Sequence, residues 1–345
     1  MGVSAAARLL CRLLAAPDTA LALDPPQWIA VIAVARAELL IGSLACRLRG
    51  LPVPEQVGAI LAAAIQSAEE GRRQALWEAE MARRALAPAG FPIILLKGTA
   101  FVAAGLDAGQ GRHIGDLDIL VPRARLDDAE AALLDAGWEW VKPDPYDDNY
   151  YRRWMHELPP LIHRERDRMI DVHHTILPPT ARITPDAGAL VAAAEPLGNG
   201  LSIPSPEDLV VHAALHLFAD GDLSGGLRNL WDIDRLVREF CARDAGYEAR
   251  LADRAALHQA GRAVARSLRL ARRLFDTPVS DRRAEGIFDA AARRRLLARD
   301  GWGRGTRPAT RAAFYVRSHW LRMPPALLAR HLWVKARRNN RRAGA

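Results

Sequence analysis

The sequence is poor in lysine, cysteine and aromatic residues, and it lacks long uncharged hydrophobic runs. Its longest apolar stretches are shorter than the roughly 18 residues that a membrane-spanning helix needs, so none is expected. The three cysteines are widely scattered. That spacing offers no zinc site and suits a reducing compartment, so we expect a cytoplasmic protein. Aromatic residues make up 6% of the chain, but half of the residues are hydrophobic, which is enough for a sizeable core.

Lysine is so rare that arginine carries almost all of the positive charge. Of 48 basic residues only Lys97, Lys142 and Lys335 are lysines, and the formal net charge is +8. The stretch Arg304–Arg342 is the most basic and has almost no acid. This charge is compatible with nucleic acid, anionic nucleotides or acidic lipid, or with an Arg-biased solvated surface. Contact with nucleic acid through this basic C-terminal tail is therefore kept as one alternative.

Helical patterns occupy both ends of the chain, and strand-like patterns occupy the middle. Apolar residues recur with the helical period in residues 1–88, and Ser205 begins another helical region with a capping signal. These patterns predict an α+β protein with three units. The units are an N-terminal helical lobe (1–88), a small sheet core (89–200) and a C-terminal helical lobe with a basic tail (201–345).

The middle unit has three short runs that are typical of strands. The continuous apolar run Phe91–Leu96 predicts a buried strand, Leu117–Val121 predicts a second, and Met169–His173 alternates like a third. A short helix is predicted over Ala100–Leu106, and another over Leu126–Ala136. The aromatic segment between the second and third runs is expected to hold further strands.

Two carboxylates stand two residues apart where the second strand begins. Residues i and i+2 of a strand face the same side, so Asp116 and Asp118 are expected to project together. Carboxylates this close repel each other unless a cation lies between them, and their oxygens suit Mg²⁺. Two Mg²⁺ ions can clamp an in-line phosphoryl displacement. The alternative is a pair of solvated acids, because Asp-x-Asp is common by chance.

The surroundings of this acid pair favour a phosphate site. The segment Lys97–Thr99 (Lys-Gly-Thr) follows the first strand, where a glycine lets the backbone approach a phosphate and helix-start amides bind anions. Arg112 precedes Asp116 and carries a guanidinium that can hold a triphosphate. Asp171 supplies a further carboxylate on a separate strand.

The order strand, Gly-[Ser/Thr], helix, Asp-x-Asp strand and lone acid on a later strand resembles the polymerase-beta-like nucleotidyltransferase superfamily. The stretches LLKGTAF, RHIGDLDILV and MIDVHH resemble more narrowly a largely uncharacterised bacterial nucleotidyltransferase family. The resemblance continues in LHLF and LRNLWDIDRLV and covers most of the chain. Two features depart from the superfamily, which usually has Gly-Ser at Gly98-Thr99 and a shorter interval from Gly98 to Asp116.

The resemblance implies a role for each matching residue. Asp116, Asp118 and Asp171 would be catalytic and would bind metal, with two Mg²⁺ ions expected and Mn²⁺ as an alternative. Asp171 would also help to deprotonate the acceptor. The nucleotide-binding residues would be Lys97, Gly98, Thr99 and Arg112. Of these, Gly98 and Thr99 would cradle the phosphates, and Lys97 and Arg112 would offset the triphosphate charge. Lys97 has an alternative role as a cap on the strand end.

Histidines supply further candidates. His173 shares a strand face with Asp171, so it is a possible substrate contact. His212, His216 and Asp220 fall on one helix face at i, i+4 and i+8, a spacing that permits metal chelation. Helical histidine pairs more often pack or face substrate, so His216 is also taken as a possible substrate contact.

Arg228, Asp232 and Asp234 are predicted near a cleft between the sheet core and the C-terminal lobe. They are either substrate contacts or a salt-bridge network, and Arg228 is retained as a possible substrate residue.

The resemblance implies a Mg²⁺-dependent enzyme that transfers NMP from an NTP to a hydroxyl-type acceptor, with a small molecule favoured, and releases pyrophosphate. One alternative keeps the fold but modifies RNA or a protein. A second is a non-catalytic nucleotide-binding module, which the intact set of three aspartates disfavours. A third, a phosphohydrolase built on a His-Asp doublet, is disfavoured because that doublet is absent from the sequence.

Overall fold

The computed structural model describes residues 4–142, 144–220, 222–324 and 328, which form helices around one mixed β-sheet. This arrangement confirms the predicted α+β class. Helices dominate both ends of the described chain, and the sheet lies in the middle. The division into units at 88 and 200 stays a prediction, since a single hydrophobic cluster contains residues from all three proposed units.

The N-terminal region is helical, as its periodicity predicts. Its helices are α1 (Ala5–Ala15), α2 (Pro25–Ala37), α3 (Ile41–Arg47) and α4 (Glu55–Leu86). Asp24 begins α2 with a capping box, because its side chain accepts from the Gln27 amide and Gln27 returns a bond to its backbone. The long helix α4 packs on one strand and two helices of the central region, so it supports the sheet from one side.

The central sheet has seven strands within the described residues. They are β1 (Ile94–Leu95), β2 (Leu117–Leu120), β3 (Trp138–Trp140), β4 (Leu161–His163), β5 (Met169–His173), β6 (Glu195–Pro196) and β7 (Ser202–Ile203). Their spatial order is β3-β4-β5-β2-β1-β7-β6. The neighbours β2 and β5 are parallel, as are β1 and β7, whereas the other pairs are antiparallel. The two strands that carry the predicted aspartates are therefore adjacent.

The helices of the central region differ in detail from the prediction. They are α5 (Lys97–Ala103), α6 (Leu126–Asp135), α7 (Pro145–Trp154) and α8 (Ala187–Ala192). Helix α5 begins at Lys97 and not at Ala100, and the first strand is only two residues long. The aromatic segment before β5 holds the strand β3, as expected, and also the helix α7.

The C-terminal region is helical as far as it is described. Its helices are α9 (Pro206–Leu215), α10 (Gly226–Arg243), α11 (Tyr247–Leu257), α12 (Gly261–Phe275), α13 (Ile287–Leu296) and α14 (Pro308–Arg322). Ser205 caps α9 by accepting from the Asp208 amide at 3.3 Å. The apolar stripe of α10 is buried from Leu227 to Phe240. Helices α5 and α9 are in contact, which joins this region to the sheet core.

No helix among the described residues is both long and apolar enough to cross a membrane. Helix α14 covers the first part of the predicted basic tail, where the Arg182 guanidinium lies 4.6 Å from the centre of the Trp320 ring. Apart from Leu328, the tail beyond Pro324 is outside the described residues. Its proposed contact with nucleic acid therefore stays a prediction.

Candidate active site

Three carboxylates meet where β2 and β5 lie side by side. In the parallel register Asp118 is directly opposite Asp171, and Asp116 lies just before β2. Each of the three offers an oxygen within 4.8 Å of the other two. Asp118 is buried, Asp171 is half-buried and Asp116 is exposed. The group therefore extends from the sheet to the surface, which leaves it open to a ligand on one side.

The short strand β1 brings a cation to this group. Its end is fixed by a 2.9 Å hydrogen bond that the Leu96 amide donates to the Asp118 carbonyl. Lys97 comes next, with a positive φ of 49°, a region that non-glycine residues seldom occupy outside turns and functional sites. Its ammonium lies 2.6 Å from Asp118 Oδ1. Lys97 therefore neutralises one of the three carboxylates directly.

Neighbouring charges shift the pKa values of two of these acids in opposite directions. Burial by itself would raise the pKa of Asp118, but Lys97 and His173 outweigh it and hold that pKa below its ordinary value. At Asp171, burial and the nearby charges of Glu157 and Asp118 raise the pKa to about 7. Asp171 therefore lies close to other negative charges, and a bound cation would reduce the repulsion between them.

His173 supports Asp118 from within the protein. It is 1% exposed, and its Nε2 lies 2.9 Å from Asp118 Oδ1. A carboxylate only accepts hydrogen bonds, so Nε2 carries the proton and donates it. Its expected contact with substrate stays a prediction.

Arg112 occupies a buried position beside the candidate site. Its Nε and Nη2 lie 3.1 and 3.0 Å from Asp232 Oδ2 on α10, and both side chains are buried. A Cβ on Gly98 would lie 1.9 Å from Arg112 Nη1, so a larger residue there would displace the guanidinium from this position. The ion pair ties the loop before β2 to the C-terminal helices. A direct contact between Arg112 and a triphosphate stays a prediction.

The other predicted contacts lie around this group. Thr99 is buried in the first turn of α5. Arg228 is half-buried and donates to the His113 carbonyl at 3.3 Å. His216 Nδ1 lies 3.0 Å from the Asn229 amide nitrogen. The roles of all three in binding remain predictions.

The helix type changes within the segment that holds the proposed metal ligands His212, His216 and Asp220. Helix α9 ends at Leu215, and residues 216–220 form a π-helical turn, so the i+4 spacing no longer keeps one face. The Asp220 side chain lies outside the described residues.

Two residues near the carboxylates were not predicted from the sequence. The backbone of residues 156–158 runs antiparallel to the end of β5, with a bridge between Glu157 and His173. This places the Glu157 carboxylate 3.4 Å from His173 Nδ1 and 3.7 Å from His156 Nε2. Nothing in the local sequence marks His156-Glu157 as functional, since its importance comes from the pairing with β5.

Most of the chain matches a known protein family. The model of a family described as uncharacterised nucleotidyltransferase matches residues 24–276. The chain belongs to this family. None of the curated proteins compared with it matches. As a member, the chain is a nucleotidyltransferase, an enzyme that transfers a nucleotidyl group. The match includes all three aspartates as well as Lys97 and Asp232.

Proposed function

We propose that this nucleotidyltransferase uses Mg²⁺ to transfer NMP from an NTP to a hydroxyl group of a small-molecule acceptor. The observation that carries the proposal is the convergence of Asp116, Asp118 and Asp171 within 4.8 Å. Lys97 adds a cation beside them. Three acids and one partly exposed lysine suit a site that holds a polyphosphate together with divalent cations.

The donor set fits Mg²⁺. All three side chains offer carboxylate oxygens, the hard ligands that Mg²⁺ and Mn²⁺ prefer. Burial, together with the charges of Glu157 and Asp118, raises the pKa of Asp171, so a bound cation would favour its ionised form. When bound, the ions would neutralise triphosphate charge and stabilise the charge that develops in the reaction. Asp116, Asp118 and Asp171 would hold them.

The chain's own residues have separate tasks in the transfer. The acceptor oxygen forms a bond to the α-phosphorus, and the bond from that phosphorus to the bridging oxygen breaks as pyrophosphate leaves. Asp171, half-buried beside the other acids, would take the acceptor proton. Lys97 would contact the phosphates and share its charge with Asp118. Gly98, Thr99 and Arg112 would shape the phosphate-binding turn, Arg112 through its packing against Gly98.

A product screen tests this proposal. The purified full-length chain is incubated with Mg²⁺ and each of the four NTPs, with pools of metabolites or RNA as acceptors. We expect pyrophosphate release that depends on the acceptor, and a product heavier by one NMP in mass spectrometry. A small-molecule product supports the favoured acceptor, whereas labelled RNA or self-labelled protein supports the alternative.

The control compares two double variants with the same change in charge. Asp116→Asn with Asp118→Asn removes two carboxylates of the site. Asp127→Asn with Asp128→Asn removes two exposed acids of α6. The first should lose NMP transfer and the second should keep it. Equal transfer by both variants, or no acceptor-dependent pyrophosphate release with any NTP, would contradict the proposal.

A further inference from the structure

A second group of metal-ligating side chains lies beside the carboxylates. His156, Glu157 and His173 each offer a donor atom within 4.8 Å of the others. His156 is 8% exposed and His173 is 1% exposed. Their donor atoms are distinct from the oxygens of Asp116, Asp118 and Asp171. The proposed Mg²⁺ site therefore does not account for this group.

The two ring nitrogens of His173 lie near two different carboxylates. Its Nε2 donates to Asp118, as the 2.9 Å separation indicates. Its Nδ1 is buried without a hydrogen-bond partner within the described residues, and Glu157 Oε2 lies 3.4 Å away. A cation bound between these two atoms would give this buried nitrogen a partner.

The spacings match those of ligands that share one zinc ion. Glu157 Oε2 lies 3.4 Å from His173 Nδ1 and 3.7 Å from His156 Nε2. Both separations are too long for good hydrogen bonds. Ligands about 2.0–2.2 Å from Zn²⁺ at tetrahedral angles are about 3.3–3.6 Å apart. The two Glu157 separations lie in or just above that range, and the donor atoms of His156 and His173 lie within 4.8 Å of each other.

The backbone holds the three donors in place before any ion binds. The Leu158 amide donates to the Val172 carbonyl and the His174 amide donates to the His156 carbonyl, both at 2.9 Å. These bonds fix residues 156–158 against β5. Two imidazoles and one carboxylate favour Zn²⁺ over Mg²⁺, which prefers an all-oxygen set.

We propose that His156, Glu157 and His173 form a zinc site that is distinct from the carboxylate site. The ion would join residues 156–158 to β5. It would also fix the His173 ring, whose Nε2–H holds Asp118 in position. Such carboxylate–histidine–zinc contacts orient a ligand and strengthen its binding. Three protein ligands leave a fourth position, which water fills in other three-ligand zinc sites.

The test measures metal binding without any nucleotide. Untagged full-length protein is purified without chelators, its metal content is measured by mass spectrometry, and Zn²⁺ is titrated in competition with a chromophoric chelator. We expect one tight equivalent per chain that excess Mg²⁺ does not displace. Replacement by Co²⁺ should give the visible absorption of a tetrahedral nitrogen- and oxygen-ligated ion.

Variants assign the site and separate it from the proposed function. His156→Ala and Glu157→Gln should each lose the tight equivalent, whereas Asp116→Asn should retain it. His174→Asn is a matched control, because this buried neighbour contacts the Met155 carbonyl instead of the cluster. Asp118→Asn should weaken Zn²⁺ binding by about 10–100-fold, the usual effect of losing such a support. Melting curves identify any variant that fails to fold.

The proposal is overturned if the wild-type chain binds no stoichiometric Zn²⁺ and its Co²⁺ form lacks the tetrahedral spectrum. It is also overturned if folded His156→Ala and Glu157→Gln proteins bind Zn²⁺ as tightly as the wild type. Neither result bears on NMP transfer, since no nucleotide is present. Conversely, a chain without transferase activity can still bind zinc.

Discussion

Two buried aspartates, Asp118 in the sheet and Asp208 at the start of α9, have partners of the same types but different surroundings. Asp118 contacts Lys97 and His173. Asp208 accepts from Arg254 at 2.7 and 2.6 Å, and His258 Nε2 lies 3.0 Å from it. In both cases burial would raise the carboxyl pKa, yet the partners hold it below its ordinary value.

The two sites differ in the charges that surround each aspartate and its two partners. Both carboxylate oxygens of Asp208 accept hydrogen bonds from the Arg254 guanidinium, so its negative charge is balanced within the fold. Asp118 shares its surroundings with Asp116, Asp171 and Glu157. Burial first, and then the charges of Glu157 and Asp118, raise the pKa of Asp171 to about 7. Excess negative charge next to a partly exposed lysine indicates a ligand site, whereas an aspartate whose charge is balanced by its partners indicates a structural ion pair. The residue types alone do not separate the two.

The largest expected effect is on catalysis at Asp116 and Asp118. Replacing both by Asn removes two of three proposed Mg²⁺ ligands. Metal stabilisation of transition-state charge contributes several kcal/mol, so turnover should fall by about 10³-fold or more. The rise in melting temperature that Mg²⁺ with NTP gives by mass action should also vanish. An undiminished rise in a folded double variant would contradict the metal assignment.

The equivalent change at Asp208 should affect stability instead. Asp208→Asn leaves the Arg254 guanidinium partly buried without its carboxylate, and breaking such a pair costs about 3–5 kcal/mol. Urea unfolding should show this loss, while Mg²⁺ with NTP still raises the melting temperature of the folded fraction. A variant that keeps its stability but loses the nucleotide-dependent rise would make Asp208 part of the site and remove the contrast with Asp118.

Asp171 should show the reverse pattern, with a large effect on turnover and a small one on stability. As a proposed metal ligand and proton acceptor, its replacement in Asp171→Asn should lower turnover by about 10²-fold. Stability should hold or rise above neutral pH, because a carboxylate among like charges is removed. Steady-state kinetics and melting curves on the same preparation measure both. Unchanged turnover with lower stability would make Asp171 a structural residue.

Sequence periodicity predicted the elements whose packing is local and amphipathic. The apolar stripe of α10 and the alternation in β5 both require only near neighbours along the chain, and both are present. The first strand was predicted over Phe91–Leu96, but only Ile94–Leu95 is paired as a strand. Strand length depends on partners, and here β7 and β2 meet β1 only over that short stretch.

The candidate site was predictable where its residues are close in sequence or carry a motif. Asp116 and Asp118 are two residues apart, and the family resemblance pointed to Asp171. The partner of Arg112 is Asp232, which is 120 residues away, and no local pattern specifies that pairing. The position of Glu157 beside His173 depends in the same way on the antiparallel bridge to β5. Long-range packing therefore decides which charges are balanced.

The smallest expected effect is the pH dependence of metal binding at the carboxylate site. The pKa of Asp171 is raised from 3.8 to about 7 without a cation. Between these values the folded chain holds this proton more tightly than the unfolded chain, so this group's contribution to stability falls as pH rises through that window. Binding Mg²⁺ requires the ionised carboxylate. The melting-temperature gain from Mg²⁺ with NTP should therefore be smaller near pH 6 than near pH 8.

The magnitude and the control both follow from this single proton. Below about pH 7, each unit by which the pH falls should raise the Mg²⁺ concentration for half-maximal stabilisation by at most about tenfold. This is equivalent to about 1.4 kcal/mol of binding free energy. The terminal phosphate of the NTP also titrates near neutrality and adds its own pH dependence. The slope of the logarithm of this Mg²⁺ concentration against pH must therefore be compared between wild type and Asp171→Asn. Asp171→Asn should lose the part of the slope that arises from the Asp171 proton, whereas Asp127→Asn should keep it. Equal slopes in all three proteins would mean that no proton leaves Asp171 when Mg²⁺ binds, and the excess charge that distinguishes this site from Asp208 would then have no part in binding the metal.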